Sequence, residues 1–193
     1  MSDMDPELLA RARAGQESAG IELYAAHQPA VTRLCLALLG DISDAEEVAQ
    51  DSFVYAFRNI GRYDPTRSAF RTWLCMIAVS RCRNKRRRRM FELLPLTTAA
   101  LSQSATTREV EQALAARGLR LQLWQALQDL PGDLREAVAL RYLGGLRFRE
   151  IGEATGCNDK TAQSRVRLGV ERLRRALSAS GDALDWAALE TSG

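Results

Sequence analysis

The chain has 193 residues, of which 46% are hydrophobic, 26% charged and 6% aromatic, with a formal net charge of +3. That apolar fraction excludes disorder throughout, and the excess of Leu, Ala, Arg and Glu over β-branched and aromatic residues predicts an all-α fold. No apolar run approaches a membrane span and the start MSDMDPELL does not read as a signal peptide, so a soluble, cytoplasmic protein is expected.

Four cysteines, Cys35, Cys75, Cys82 and Cys157, form no CxxC pair and accompany a single histidine, His27. No metal or cofactor is expected from such a set, and the thiols read as small buried hydrophobes. Charge placement says more than net charge. Arg81 to Arg89 (RCRNKRRRR) is almost wholly cationic, whereas Asp44 to Asp51 (DAEEVAQD) is acidic. Two partners of different kind are implied, a polyanion and a basic or polar protein surface.

In chain order, Asp5 and Pro6 open a first helix and Gly15 ends it. A second helical region follows, and from Pro29 the residues Val31, Leu34, Cys35, Leu38 and Leu39 mark a buried face that Gly40 stops. Ser43 or Asp44 caps the next helix. Its inner face is Ala45, Val48, Ala49, Ser52, Phe53, Ala56, Phe57 and Ile60, which leaves Glu47, Gln50, Asp51, Val54 and Arg58 outward. Residues 61–69 (GRYDPTRSA) form a connector, because Pro65 disfavours helix at the residue before it. Phe70, Trp73, Leu74, Ile77 and Ala78 restart the helical period and run into the arginine block, with Arg71, Thr72, Met76, Ser80, Arg83 and Asn84 on the opposite face.

From Phe91 to Arg117 the pattern fades into a Ser-, Thr- and Gln-bearing linker. Leu119, Leu123, Leu127 and Leu130 resume a helix that Pro131 and Gly132 stop, and Leu134, Ala137, Val138 and Tyr142 mark the next, ended by Gly144 and Gly145. Arg147 to Ala154, a turn at Thr155 to Asn158 and a longer helix from Asp159 have helix-turn-helix form. On that last helix Ala162, Val166, Gly169, Leu173 and Leu177 point inward, while Lys160, Thr161, Gln163, Ser164 and Arg167 lie on the free side.

The order of these blocks resembles that of extracytoplasmic-function sigma factors, members of the sigma-70 family that keep sigma domains two and four. DAEEVAQDSFVYAF and FRTWLCMIAVSRCRNKRRRR carry the first likeness, and LQDLPGDLREAVALRYLGGLRFREIGEATGCNDKTAQSRVRLGVERLRRAL carries the second. The resemblance implies two small helical domains: residues 1–90 as domain two, 91–117 as a flexible linker, 118–178 as domain four, and 179–193 as a tail. In that tail Leu184, Trp186 and Leu189 could pack on domain four.

It also implies roles. Glu47, Gln50 and Asp51 would dock on RNA polymerase core, through its beta and beta-prime subunits. Arg67, Arg71, Ser80, Arg83, Asn84 and Lys85 would meet the non-template strand of the minus-ten element, with Lys85 to Arg89 on phosphates and Trp73 in the core. Lys160, Thr161, Gln163, Ser164, Arg165 and Arg167 would read and anchor the minus-thirty-five element of promoter DNA. An anti-sigma factor would hold the protein inactive, and a membrane-bound one would keep it at the inner face of the membrane without any membrane insertion. Family members often carry other residues at Ser80, Asp159, Lys160 and Leu168, so base preference is the property these departures touch. The rival readings are a stand-alone helix-turn-helix regulator, which would bind duplex DNA without polymerase, and a helical enzyme. For the enzyme the chain offers no nucleophile pair, phosphate loop or metal cluster.

Overall fold

The computed structural model describes residues 6–92 and 121–178, and every regular element among them is helical. Of the linker expected at 91–117, residues 91 and 92 belong to α4, and the rest of it, like the tail after residue 178, lies outside the described residues. In the first half α1 (Pro6–Arg13), α2 (Glu17–Leu39), α3 (Ile42–Arg58) and α4 (Phe70–Glu92) follow in order, with a short 3-10 turn at Ile60–Arg62. The second half holds a helix at residues 121–128 (α5), α6 (Gly132–Tyr142), α7 (Phe148–Thr155) and α8 (Asp159–Ser178).

The sequence reading marks Pro29 as the start of a buried run, yet α2 continues through it. An internal proline costs a helix about 3 kcal/mol. Leu23 on one side and Val31, Leu34, Cys35 and Leu38 on the other are all buried in one cluster, and burying side chains of this size contributes about 1.5–3 kcal/mol each. Packing therefore outweighs the break. Gly40, at φ +78°, ends α2 by donating its N–H to the Leu36 carbonyl, a left-handed cap that glycine adopts without strain.

The cap of α3 is Asp41, not Ser43 or Asp44: its Oδ1 accepts from the Asp44 N–H at 2.9 Å. The inner face follows the expected period, with Ala45, Val48, Ala49, Ser52, Phe53 and Ala56 buried. Ser52 is satisfied there by donating to the Val48 carbonyl at 2.6 Å. Phe70, Leu74 and Val79 of α4 close this core. Trp73 is partly buried against it, its ring 5.3 Å from Tyr63 and 5.7 Å from Phe70.

Cys35, Cys75 and Cys82 are buried and unbridged. A hydrogen bond to Cys82 and burial both push the Cys35 thiol up, and burial pushes Cys75 up to about 12. Cys35 and Cys75 stay neutral, and all three side chains pack within the core.

In the second half, Leu134, Val138, Leu140, Leu146, Ile151, Ala162, Val166 and Leu173 join the same cluster. Tyr142, expected on the inner face of α6, is 43% exposed instead. The peptides beyond it turn away, with Leu146 bonding back to the Leu140 carbonyl, and Leu146 takes the buried place. Close approach fixes the helix pair α7–α8: Gly156 at φ +71° caps α7, and Asn158 Oδ1 accepts from the Thr161 N–H at 2.8 Å to start α8. A Cβ on Gly152 would stand 2.6 Å from the Cys157 carbonyl oxygen, and one on Gly169 would stand 2.5 Å from a Val138 methyl.

The two halves touch. α6 packs on α2 and α7 on α4, and Gln128 Nε2 donates to the Ala37 carbonyl at 3.0 Å. Gly152→Ala forces a methyl onto backbone that cannot rotate away. It is expected to cost about 1–3 kcal/mol, read as a lower thermal midpoint by circular dichroism, whereas Gly20→Ala, with nothing within 4 Å of its added Cβ, should not lower it.

Candidate nucleic-acid and polymerase interfaces

The acidic face of α3 and the cationic end of α4 are neighbours. Arg81 lies 3.7 Å from Asp51, Lys85 is 2.7 Å from Glu47 and 3.2 Å from Asp44, and Arg89 is 2.7 Å from Asp44. The sequence reading gave these blocks separate partners; in the folded chain they partly neutralise each other. Hydrogen bonds to Glu47 and Asp44 raise the Lys85 ammonium above its usual range. Even so, Glu47 and Asp51 keep side-chain exposures of 60% and 61%, and Gln50 is exposed beside them. All three expected core-binding residues therefore share one accessible ridge.

The loop before α4 is held from within. Tyr63 is buried and donates its hydroxyl to the Ser68 carbonyl at 2.9 Å, while Asp64 Oδ1 accepts from the N–H and the hydroxyl of Thr66. Those two bonds hold the Asp64 carboxyl below its ordinary range. Arg13 of α1 donates to the Tyr63 carbonyl and lies over its ring. Arg67 remains exposed.

Beneath this loop runs a groove of about 1070 Å³ that receives Arg13, Arg33, Arg67, Arg71 and Arg147 together with His27. Composition and periodicity did not single out Arg13, Arg33 or Arg147 here. The basic last turn of α1 was the available signal for Arg13, but no local pattern tells that α1 lies against the loop fifty residues later.

Along the outer face of α4 the expected DNA residues divide. Ser80 and Asn84 are exposed. Arg71 and Arg83 are partly covered and already engaged: Arg71 donates to the Leu143 carbonyl at 2.8 Å, and Arg83 grips both carboxylate oxygens of Glu136 at 2.8 and 2.9 Å. Thr72, read as outward, is buried, its hydroxyl 3.3 Å from Glu150. The correction has a physical source, since a helix face free within one half is covered by α6 and α7 of the other.

On α8, Lys160, Gln163 and Arg167 are exposed, and Thr161 and Ser164 are half-buried at the edge of the same face. Arg165 turns aside to Asp133 of α6, 3.4 Å away. One helix thus presents adjacent donors in an arrangement suited to a major groove, a tight glycine-capped turn after its supporting helix.

The profile of sigma-70 region 2 matches residues 23–92 and that of sigma-70 region 4 matches residues 120–173. The sigma factor CarQ of Myxococcus xanthus is 33% identical over 86% of this chain and 94% of its own length. SigW, an extracytoplasmic-function sigma factor of Bacillus subtilis, is 28% identical over 92% of this chain and 98% of its own. Among the solved structures that share the fold are two with a bound partner. CnrH bound to the cytosolic domain of CnrY has a TM-score of 0.63 at 24% identity, over 89% of this chain and 96% of that one. The sigma factor RpoE of Bartonella quintana, bound to the anti-sigma factor NepR, has a TM-score of 0.64 at 21% identity, over 81% of this chain and 95% of that one. The two profile matches, over an all-α chain whose second part carries a helix-turn-helix, define a transcription initiation factor. The chain belongs to the sigma-70 family of RNA polymerase sigma factors, in its extracytoplasmic-function group.

His27 gives the first half a pH dependence. Burial, then the nearby Arg71 charge, lower its pKa from 6.5, so the unfolded chain binds this proton more readily. Stability from His27 is complete above pH 6.5 and is lost as pH falls through and below that value. The thermal midpoint should drop between pH 7 and pH 5, and a His27→Gln variant should drop less over the same range.

Proposed function

We propose that the chain brings RNA polymerase core to promoters by binding alone, with no catalytic group of its own. The observation that carries this reading is the juxtaposition of an exposed acidic ridge on α3 with a cationic helix α4, in the same chain as a donor-bearing helix-turn-helix. Glu47, Gln50 and Asp51 supply the core-binding ridge, where carboxylates orient docking on a basic surface of the beta and beta-prime subunits. Arg67, Arg71, Ser80, Arg83, Asn84 and Lys85 receive the unstacked minus-ten strand, whose phosphates and base edges suit guanidinium and amide donors. Lys160, Thr161, Gln163, Ser164, Arg165 and Arg167 serve the minus-thirty-five duplex.

Residues 1–90 and 118–178 act as two weak modules joined by the segment between them. Tethering raises the local concentration of the second once the first is bound. An anti-sigma factor is the inhibitor this reading adds, since both of those structures hold such a partner or a partner's cytosolic domain. Among the described residues no helix is long and apolar enough to cross a membrane. Work on RNA polymerase and promoter DNA places the protein in the cytoplasm in this reading, and any membrane link belongs to its inhibitor.

Added to sigma-free polymerase, the chain should yield promoter-dependent transcripts. A chain that occupies intact duplex operators unaided and ignores polymerase would instead be a stand-alone regulator. Reversing charge at Glu47 and Asp51 should weaken core binding in a pull-down titration at unchanged helix content. Lys85→Ala frees Glu47 from its cation, leaves Asp44 paired with Arg89, and should not weaken it. Arg167→Ala should flatten the salt dependence of minus-thirty-five duplex binding by about one unit of slope for one lost phosphate contact, and an unchanged slope removes Arg167 from that set.

A further inference from the structure

We propose that the groove beneath the 61–69 loop is a binding site for a nucleoside polyphosphate, whose run of phosphates meets the guanidiniums at its edge while sugar and ring lie on its apolar floor. The site stands on the groove itself and goes beyond the promoter reading.

Charge comes first. Arg13, Arg33, Arg67, Arg71 and Arg147 reach the groove from five separate segments, and Glu150 is the one carboxylate among the described residues that line it. His27 adds no charge near neutral pH, because burial and then the Arg71 charge lower its pKa from 6.5. Elsewhere the cations of this protein meet acids: Lys85 and Arg89 reach Asp44, Arg81 reaches Asp51, Arg83 reaches Glu136 and Arg165 reaches Asp133. The five arginines of the groove make no ion pair among the described residues, and Asp64 acts on Arg67 and Arg13 only from further away. Glu150 is itself engaged, one oxygen accepting from the Arg147 N–H at 2.7 Å and the other from the Thr72 hydroxyl at 3.3 Å. The positive excess is therefore not cancelled from within, and partly apolar walls focus its field on an anion.

Donor capacity points the same way. Arg71 spends one terminal nitrogen on the Leu143 carbonyl at 2.8 Å, and its Nε–H is buried with no acceptor, a condition that costs free energy until an acceptor arrives. Arg33, Arg67 and Arg147 are exposed. Each carries a planar fork that fits two phosphate oxygens at once.

Size and lining then select the class of ligand. The groove holds about 1070 Å³, at the upper end of the range of about 300 to 1,000 Å³ usual for small-molecule pockets. The 61–69 loop bounds it on one side and Gly144 and Gly145 on another, which limits the length of anything seated there. Leu9 of α1, Ala26 and Ala30 of α2 and Pro65 of the loop give it an apolar floor that a bare phosphate would leave uncovered. A nucleoside polyphosphate answers both the charge and the floor. On the reading of α4 given above, such a ligand would also draw Arg67 and Arg71 away from the minus-ten strand.

The test is isothermal titration of the full chain with ATP, GTP, inorganic tripolyphosphate, AMP and inorganic phosphate. It is run without divalent metal at about 0.15 M salt, where exposed charges more than about 8 Å apart are largely screened. ATP and GTP should bind at one site per chain, about tenfold or more tighter than AMP or phosphate and no more weakly than tripolyphosphate. Arg33→Gln and Arg147→Gln, at matched helix content, should each weaken ATP binding about tenfold, the size of one lost charge-assisted contact. Arg172→Gln removes the same charge from an exposed position on α8 and should leave the affinity within about twofold. Equal losses in all three variants would reduce the effect to diffuse attraction and overturn the site. Tripolyphosphate bound about tenfold tighter than ATP would overturn the place given to sugar and ring. If ATP and GTP fail to bind while a single-stranded oligonucleotide binds and loses affinity in Arg33→Gln, the groove belongs to a strand and the proposal falls. The transcription assay judges the promoter reading separately.

Discussion

The arrangement of this protein turns on where the cations of α4 find their counter-charges. A helix that carries Arg81, Arg83 and the run from Lys85 to Arg89 repels itself along its own length unless acceptors are brought to it. α3 brings Asp44, Glu47 and Asp51 to one side, and α6 brings Glu136 to the other. The exposed pairs contribute little each, on the order of 1 kcal/mol or less. Arg83 with Glu136 is of another kind, because two parallel bonds to a largely covered carboxylate fix direction as well as distance.

That single constraint joins fold to function. The groups that neutralise α4 are the ones a core subunit or a DNA strand would replace. If core docks on the acidic ridge as proposed, the Lys85 and Arg81 pairs would loosen and those cations would become available to phosphates. Binding one partner would then prepare the site for the next, in the sense that one set of counter-ions is exchanged for another.

Much of this was legible in the sequence because helical periodicity reports burial within one helix. The inner faces of α3 and α8, the glycine cap after α2 and the turn at Gly156 all follow from spacing and from backbone preferences of single residues. What periodicity does not carry is the neighbour. Pro29 looked like a boundary since propensity is local, whereas the packing that carries α2 through it comes from α3 and α4. Thr72 looked outward because α7, seventy-eight residues away, is invisible to any window along α4. The same blindness hid Arg13 and Arg147, which reach the groove from opposite ends of the chain, and it placed two opposite charge blocks on separate surfaces when they meet side by side.

The most direct measurement of this dependence is amide hydrogen exchange on the full chain, free and then bound to polymerase core. Amides of α3 beside the exposed Glu47, Gln50 and Asp51 should exchange more slowly on the polymerase than in the free chain, while the buried core of α2 stays equally protected in both states. Equal exchange of α3 in both states would contradict the account that its acidic ridge is the surface on which polymerase core docks.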